Sequence, residues 1–234
     1  MAGDKAMSGI LYGVGVGPGD PELMTIKAWR LISTAKVIAY LAANGGESTA
    51  RSIAAPFITE GAEELVIDMP MRVDPDIGQA AYDNGAKSIA AHLSAGTDVV
   101  VLCEGDPFFY GSFMYVFERL AHQFKTVVVP GVTSISASAA ELGQPLCSRD
   151  DVLKILPAIL DAGKLREELS TTEAAAIIKV GRHFGKVKEV LQSLDLERCA
   201  TAISYATQEQ QLIQPVAEIS ADALPYFTTI IVKA

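Results

Sequence analysis

The sequence predicts two α/β domains, the first on a mostly parallel sheet and the second on a mixed one. Three observations carry this reading. Apolar and amphipathic runs alternate from Ile10 to Gly143, the pattern of strand–helix units that cover both faces of a parallel sheet. The alternation pauses at "QPLCSRDD", which divides the chain into domains 1–144 and 145–234. Two strand-like runs, "QQLIQ" and "YFTTIIVKA", then lie close together near the C-terminus and read as an antiparallel pair.

Each element follows from its residues. Ile10 to Val16 is a buried strand. Asp20 is a helix N-cap with Pro21 at the first helical position, and the helix runs on through "ELMTIKAWRLISTA". "KVIAY" is a strand, "ESTARSIAAPFI" a helix and "EELVID" a strand. "PDIGQAAYDNGAKSIAAHLSAG" is a long helix with Gly96 as its C-cap. "DVVVLC" is the most apolar strand of this half; "GSFMYVFERLA", "KTVVVP" and "VTSISASAAELG" follow as helix, strand and helix. Beyond the pause, "VLKIL", "AAAIIKV" and "ATAISYA" are strands, and "DAGKLREEL" and "FGKVKEVLQSL" are helices.

Composition excludes several function classes. The chain is 50% hydrophobic with 20% charged residues, which is globular rather than disordered. A net charge of −9 opposes nucleic acid as a partner, since duplex binding needs a basic face. Cys103, Cys147 and Cys199 are scattered, with no C-x-x-C and no paired histidines, so no metal site is expected. An unpatterned, odd set of cysteines suits a reducing cytoplasm. No apolar run approaches the ~20 residues of a membrane span, and "MAGDKAMSG" lacks the apolar core of a signal peptide.

Three loops carry the chemistry. "LYGVGVGPGDPEL", residues 11–23, is glycine-rich between a strand and a helix. It fits neither a dinucleotide fingerprint, because Pro18 or Asp20 stands where the third glycine belongs, nor a P-loop, because no lysine follows until Lys27. Its acid, Asp20, suits a neutral or cationic ligand better than a phosphate. A tight turn that holds no ligand satisfies the same residues. "VLCEGDPFFYGS" repeats the theme: an apolar strand, then Gly105, which permits an unusual turn, and Asp106, a second acid or a simple helix start. "VVVPGVTSISAS" brings Thr133 and Ser134 to a helix N-terminus. Ligands of parallel sheets gather at the carboxyl ends of the strands, where all three loops would lie.

"GVGVGPGDPELMTIKA", "EGDPFFYGSFMYVFERLA" and "VVPGVTSISASAAELGQPL", in this order, resemble the tetrapyrrole methylase family over nearly the whole chain. "DMPMRVD", "DDVLKILP", "TEAAAIIKVGRHFGKVKEVL" and "PYFTTIIV" are similar to the branch that methylates C20 of precorrin-2, with or without cobalt, in cobalamin synthesis. Uroporphyrinogen-III methylases usually carry Gly-Gly-Asp-Pro where this chain has Glu104-Gly105-Asp106-Pro107, and the segment "YATQEQQLIQPVAE" departs from the charged one of many C20 relatives. The resemblance implies the tetrapyrrole methylase fold, an active site in the interdomain cleft, S-adenosylmethionine as methyl donor with S-adenosylhomocysteine as product, a precorrin-2 substrate and a homodimer. Alternatives are diphthine synthase, another tetrapyrrole methylase, or an inactive binding protein that kept the fold.

The same resemblance assigns Pro18, Glu104, Gly105, Asp106, Phe109, Thr133 and Ser134, with Val180, Ala206 and Thr228 from the second domain, to the cofactor. Many of these contacts are expected from backbone groups. Methyl transfer to an electron-rich meso carbon is mainly a positioning task. A proton then leaves C20, and Asp106 and Tyr110 are the candidate bases, with solvent or a ring nitrogen as alternatives. Arg72, Arg149, Lys154, Lys179 and Arg182 are candidate partners for the substrate carboxylates or solvated surface charges.

Overall fold

The computed structural model describes residues 8–70 and 75–233. The chain divides into two compact units, Met1–Thr133 and Ser134–Ala234.

The first unit holds five parallel strands, β1 (Leu11–Gly15), β2 (Val37–Ala43), β3 (Glu63–Met69), β4 (Val99–Cys103) and β5 (Thr126–Val129), in the order β3-β2-β4-β1-β5. The central place of β4 follows from its sequence: all of "VVVLC" is buried, as a strand covered on both faces requires. Helices α1 (Ile26–Ile32) and α2 (Thr49–Ala54) cover one face, packing with Val14, Ile38, Val100 and Leu102. Helices α3 (Pro75–Ser94) and α4 (Phe113–Leu120) cover the other, packing with Leu11, Val37, Val99 and Val101. The chain therefore leaves β1 over one face and β4 over the other. These strands are neighbours, so their carboxyl ends form the switch point at which open α/β sheets bind ligands.

The first helix is not continuous. A 3₁₀ turn, Pro21–Leu23, is capped by Asp20, whose side chain accepts from Glu22 N at 2.8 Å. Met24 and Thr25 are extended, and Thr25 caps α1 by accepting from Ala28 N at 3.2 Å. Two capping residues start a helix twice.

The second unit contains α5 (Ser134–Leu142), β6 (Leu153–Pro157), α6 (Ala162–Leu169), β7 (Ala174–Ile178), α7 (Phe184–Ser193), β8 (Ala200–Ser204), β9 (Leu212–Pro215) and β10 (Thr228–Lys233). The sheet order is β6-β7-β10-β8-β9, with β6 parallel to β7 and the remaining pairs antiparallel. The mixed sheet is as expected; the pairing of the last two strands is not. β10 inserts between β7 and β8, and β9 pairs with β8 at the edge. Burial explains this: "TTIIV" of β10 is buried throughout, whereas β9 is largely exposed. α5 packs on β10 and so belongs to this unit, which places the division before α5 where the sequence reading places it after.

Candidate active-site loops

At the switch point, the loops after β1 and β4 are tied together through backbone, and the Asp106 side chain ties in the loop after β5. Gly105 N donates to Gly17 O at 2.8 Å and Gly17 N to Gly105 O at 3.4 Å, a two-way bridge between the first and second motifs. Gly105 sits at φ 61°, the left-handed region that glycine occupies without strain. A Cβ on Gly131 would lie 2.0 Å from Gly105 O, so the third loop reaches the second only because it is glycine there. A Cβ on Gly105 itself would stand in ordinary contact with Val132 O at 3.8 Å and Thr133 Cα at 3.9 Å. The residues of these turns, 15–20, 104–110 and 130–133, include Asp20, Glu104 and Asp106 and no lysine or arginine.

Asp106 joins two of the loops. Its Oδ1 accepts from Phe108 N at 2.9 Å and its Oδ2 from Gly131 N at 3.0 Å. With each oxygen accepting from a backbone amide, Asp106 anchors the β4 loop to the β5 loop. Glu104 differs. Its Oε1 accepts from Ala50 N in the first turn of α2 at 3.2 Å. Burial pushes its carboxyl above the usual glutamate range, while bonds from its own backbone N–H and that of Ala50 pull the other way. The same negative charge adds to burial in raising the Cys103 thiol. Beyond Asp106, Phe109 meets Tyr110 edge-on at 5.3 Å, and Phe108, 48% exposed, meets Phe117 edge-on at 5.0 Å. Tyr110 holds φ 55° although it is not glycine, the kind of local strain that gathers at functional sites. Pro18 and Thr133 stand in the loops after β1 and β5, both partly buried. Ser134 opens α5 in the second unit.

Within the second unit, Val180, Ala206 and Thr228 gather at one end of the sheet. Val180 follows β7, Ala206 follows β8, and Thr228 opens the antiparallel β10 opposite Ser204. Val180 and Ala206 are buried. Thr228 Oγ1 donates to Pro225 O at 2.8 Å, which leaves it to accept from Ser204 Oγ, also at 2.8 Å. Lys179, Tyr205 and Thr207 all have positive φ, at 57°, 53° and 67°. Sequence reasoning missed this strained set, because positive φ is signalled by glycine or asparagine and none stands at these positions.

The basic candidates separate. Arg72 lies outside the described residues. Arg149 is exposed in a turn at φ 49°. Lys154 is engaged within the second unit: its Nζ donates to Glu168 O and Glu168 Oε2 at 2.9 Å and to Thr171 Oγ1 at 2.8 Å, contacts that occupy all three donors of the ammonium. Arg182 is exposed in the 3₁₀ turn Gly181–His183 directly after Val180. His183 beside it is held below its usual range, first by burial and then by Lys186 and Arg182. Among the described residues, no group of histidine, cysteine and carboxylate side chains could hold a metal ion, and no helix is long and apolar enough to cross a membrane.

Two α/β sheets and glycine loops bridged at a switch point define a class that binds small molecules at strand ends. Residues 10–220 match the family model for the Tetrapyrrole (Corrin/Porphyrin) Methylases, and the chain belongs to that family. The protein named Precorrin-2 C(20)-methyltransferase from Sinorhizobium sp is 37% identical over 238 residues, covering 97% of each chain. The Cobalamin biosynthesis protein CobIJ of Mycobacterium tuberculosis (strain ATCC 25618 / H37Rv) is 41% identical over 228 residues, which is 94% of this chain and 45% of that protein. The chain thus spans less than half the length of this mycobacterial relative. In three dimensions the fold is shared with the Uroporphyrin-III C-methyl transferase from Thermus thermophilus complexed with S-adenyl homocysteine, at a TM-score of 0.70 and 23% identity over 96% of this chain and 92% of that one.

Proposed function

We propose that this chain transfers a methyl group from S-adenosylmethionine to C20 of precorrin-2, giving precorrin-3A in cobalamin synthesis. The observation that carries the reading is the match to the Sinorhizobium C20 enzyme across 97% of both chains. The loops support it chemically. They offer backbone donors and acceptors, and their own residues include acids and no lysine or arginine, which suits a donor bearing a sulfonium better than one bearing phosphates. S-adenosylmethionine supplies an electrophilic methyl carbon. Pro18, Gly105, Asp106, Phe109 and Thr133 would hold it from the first unit, with Glu104 contributing through its backbone alone, and Ser134, Val180, Ala206 and Thr228 are the second unit's cofactor residues. Asp106 keeps the β4 and β5 loops in register by its two amide bonds. Arg182 and Arg149 are the substrate's carboxylate partners in this reading.

A cytoplasmic homodimer is part of the proposal; sedimentation of the full chain at micromolar concentration tests the dimer. Calorimetry with S-adenosylmethionine and S-adenosylhomocysteine tests the cofactor, and both should bind comparably. No heat at millimolar ligand, or tight NAD binding in its place, would remove this reading. Parallel reactions with metal-free and cobalt-loaded precorrin-2 decide which form of the ring is the substrate.

A further inference from the structure

We propose that the Glu104 side chain is the catalytic base that takes the proton from the methylated carbon. This rests on the methyltransferase reading above and names a residue for its last step. Glu104 ends the central strand β4 at the switch point, and the residue after it, Gly105, makes the bridge to Gly17. Its carboxylate is oriented by backbone: Oε1 accepts from Ala50 N at 3.2 Å, and its own N–H adds a second bond. No cation among the described residues lies within salt-bridge distance of it. The residue as a whole is partly exposed. Asp106, two residues on, is instead committed to joining the β4 loop to the β5 loop.

The step balances. C20 gives an electron pair to the methyl carbon, and the carbon–sulfur pair stays on sulfur as the thioether of S-adenosylhomocysteine. The C20–H pair returns to the ring π-system as the proton passes to Glu104, which releases it to water before the next turnover. A general base works best when its affinity for protons approaches the operating pH, and burial moves Glu104 in that direction.

Glu104→Gln tests the assignment, because the amide oxygen still accepts from Ala50 N while the basic oxygen is gone. The expected result is a kcat lower by about 10²-fold or more, with the donor Kd and the substrate KM little changed. Glu104→Ala gives a second reading: formate in solution should restore part of its kcat in proportion to formate concentration, an effect that a structural role would not produce. Wild-type kcat in Glu104→Gln overturns the proposal. So does a loss of donor binding that parallels the loss of rate, or a folded, donor-binding Glu104→Ala that formate does not rescue. A wild-type protein that methylates no tetrapyrrole overturns the proposed function itself, and this step with it.

Discussion

Glu104 and Asp106 stand in one turn but in different surroundings. Asp106 is tied to Phe108 and Gly131 amides, and Glu104 is desolvated without a cation. A carboxyl raised in the fold above its unfolded value adds stability below that unfolded value and loses it as pH rises through the folded one. Glu104→Gln removes the titration. We therefore expect this variant to melt above wild type at pH 7, with the gap closing towards pH 4, as thermal melts across pH would show. Such a gain in stability at the expense of rate is common where an active site is strained or desolvated. Wild type melting higher at pH 7 would mean that the ionised carboxylate is stabilised in the fold. Arg182 belongs to the same scale. It is exposed beside the end of β7, so Arg182→Ala should leave the fold and the donor Kd unchanged. If it pairs with a substrate carboxylate in a desolvated setting, substrate KM should rise at least tenfold, given roughly 2–5 kcal/mol for such pairs. An unchanged KM moves the substrate away from this turn.

Among the elements, the glycine loops and the β6–α6 contact lend themselves to experiment. A β-branched side chain at φ 61° is strained, and Gly105→Val should lose on the order of 1–3 kcal/mol of stability together with donor binding. Gly61 also has positive φ, 83°, with nothing within 4 Å of its Cβ direction, and it precedes β3 at the opposite end of the sheet. Gly61→Ala should therefore lose stability and keep full donor affinity. Calorimetry and melts on the pair separate backbone strain from ligand contact; equal affinity in both variants would detach the loop from the cofactor. On the second sheet, Lys154 and Lys164 hold the Glu168 carboxyl at about 2. A depressed carboxyl adds stability above its unfolded value and loses it as pH falls through its folded one. We expect the second unit to weaken as pH drops from 4.5, the ordinary glutamate value, to about 2, and Glu168→Gln to flatten that part of the profile. An equally steep acid limb in Glu168→Gln would assign the loss to other carboxyls.

The whole molecule is tested by where its methyl group goes. With donor labelled at the methyl carbon, one label per turnover should appear on C20 of precorrin-2 or of its cobalt form, read by carbon-13 NMR. Label at C2, C7 or any other ring position would end the C20 reading while leaving the family intact, since the family match over residues 10–220 does not depend on ring position.

What the sequence determined by itself is the set of things that depend on local pattern. Continuous apolar runs and runs of 3.6 period placed each strand and nearly every helix, and glycine, proline and aspartate after apolar strands marked the three loops. The resemblance carried by those same motifs named the donor and the ring. The tertiary structure decided what depends on partners distant along the chain. Whether β10 pairs with β9 or lies between β7 and β8 is decided by burial across the whole sheet, which no short window contains. Lys154 looked available to a ligand because Glu168 and Thr171, its partners, sit on a later helix and the turn after it. Asp106 and Glu104 are both acids after β4. Only the packing of the β5 loop and of α2 against them made one an anchor and left the other without a cation, because hydrogen bonding and desolvation are set by neighbours in space.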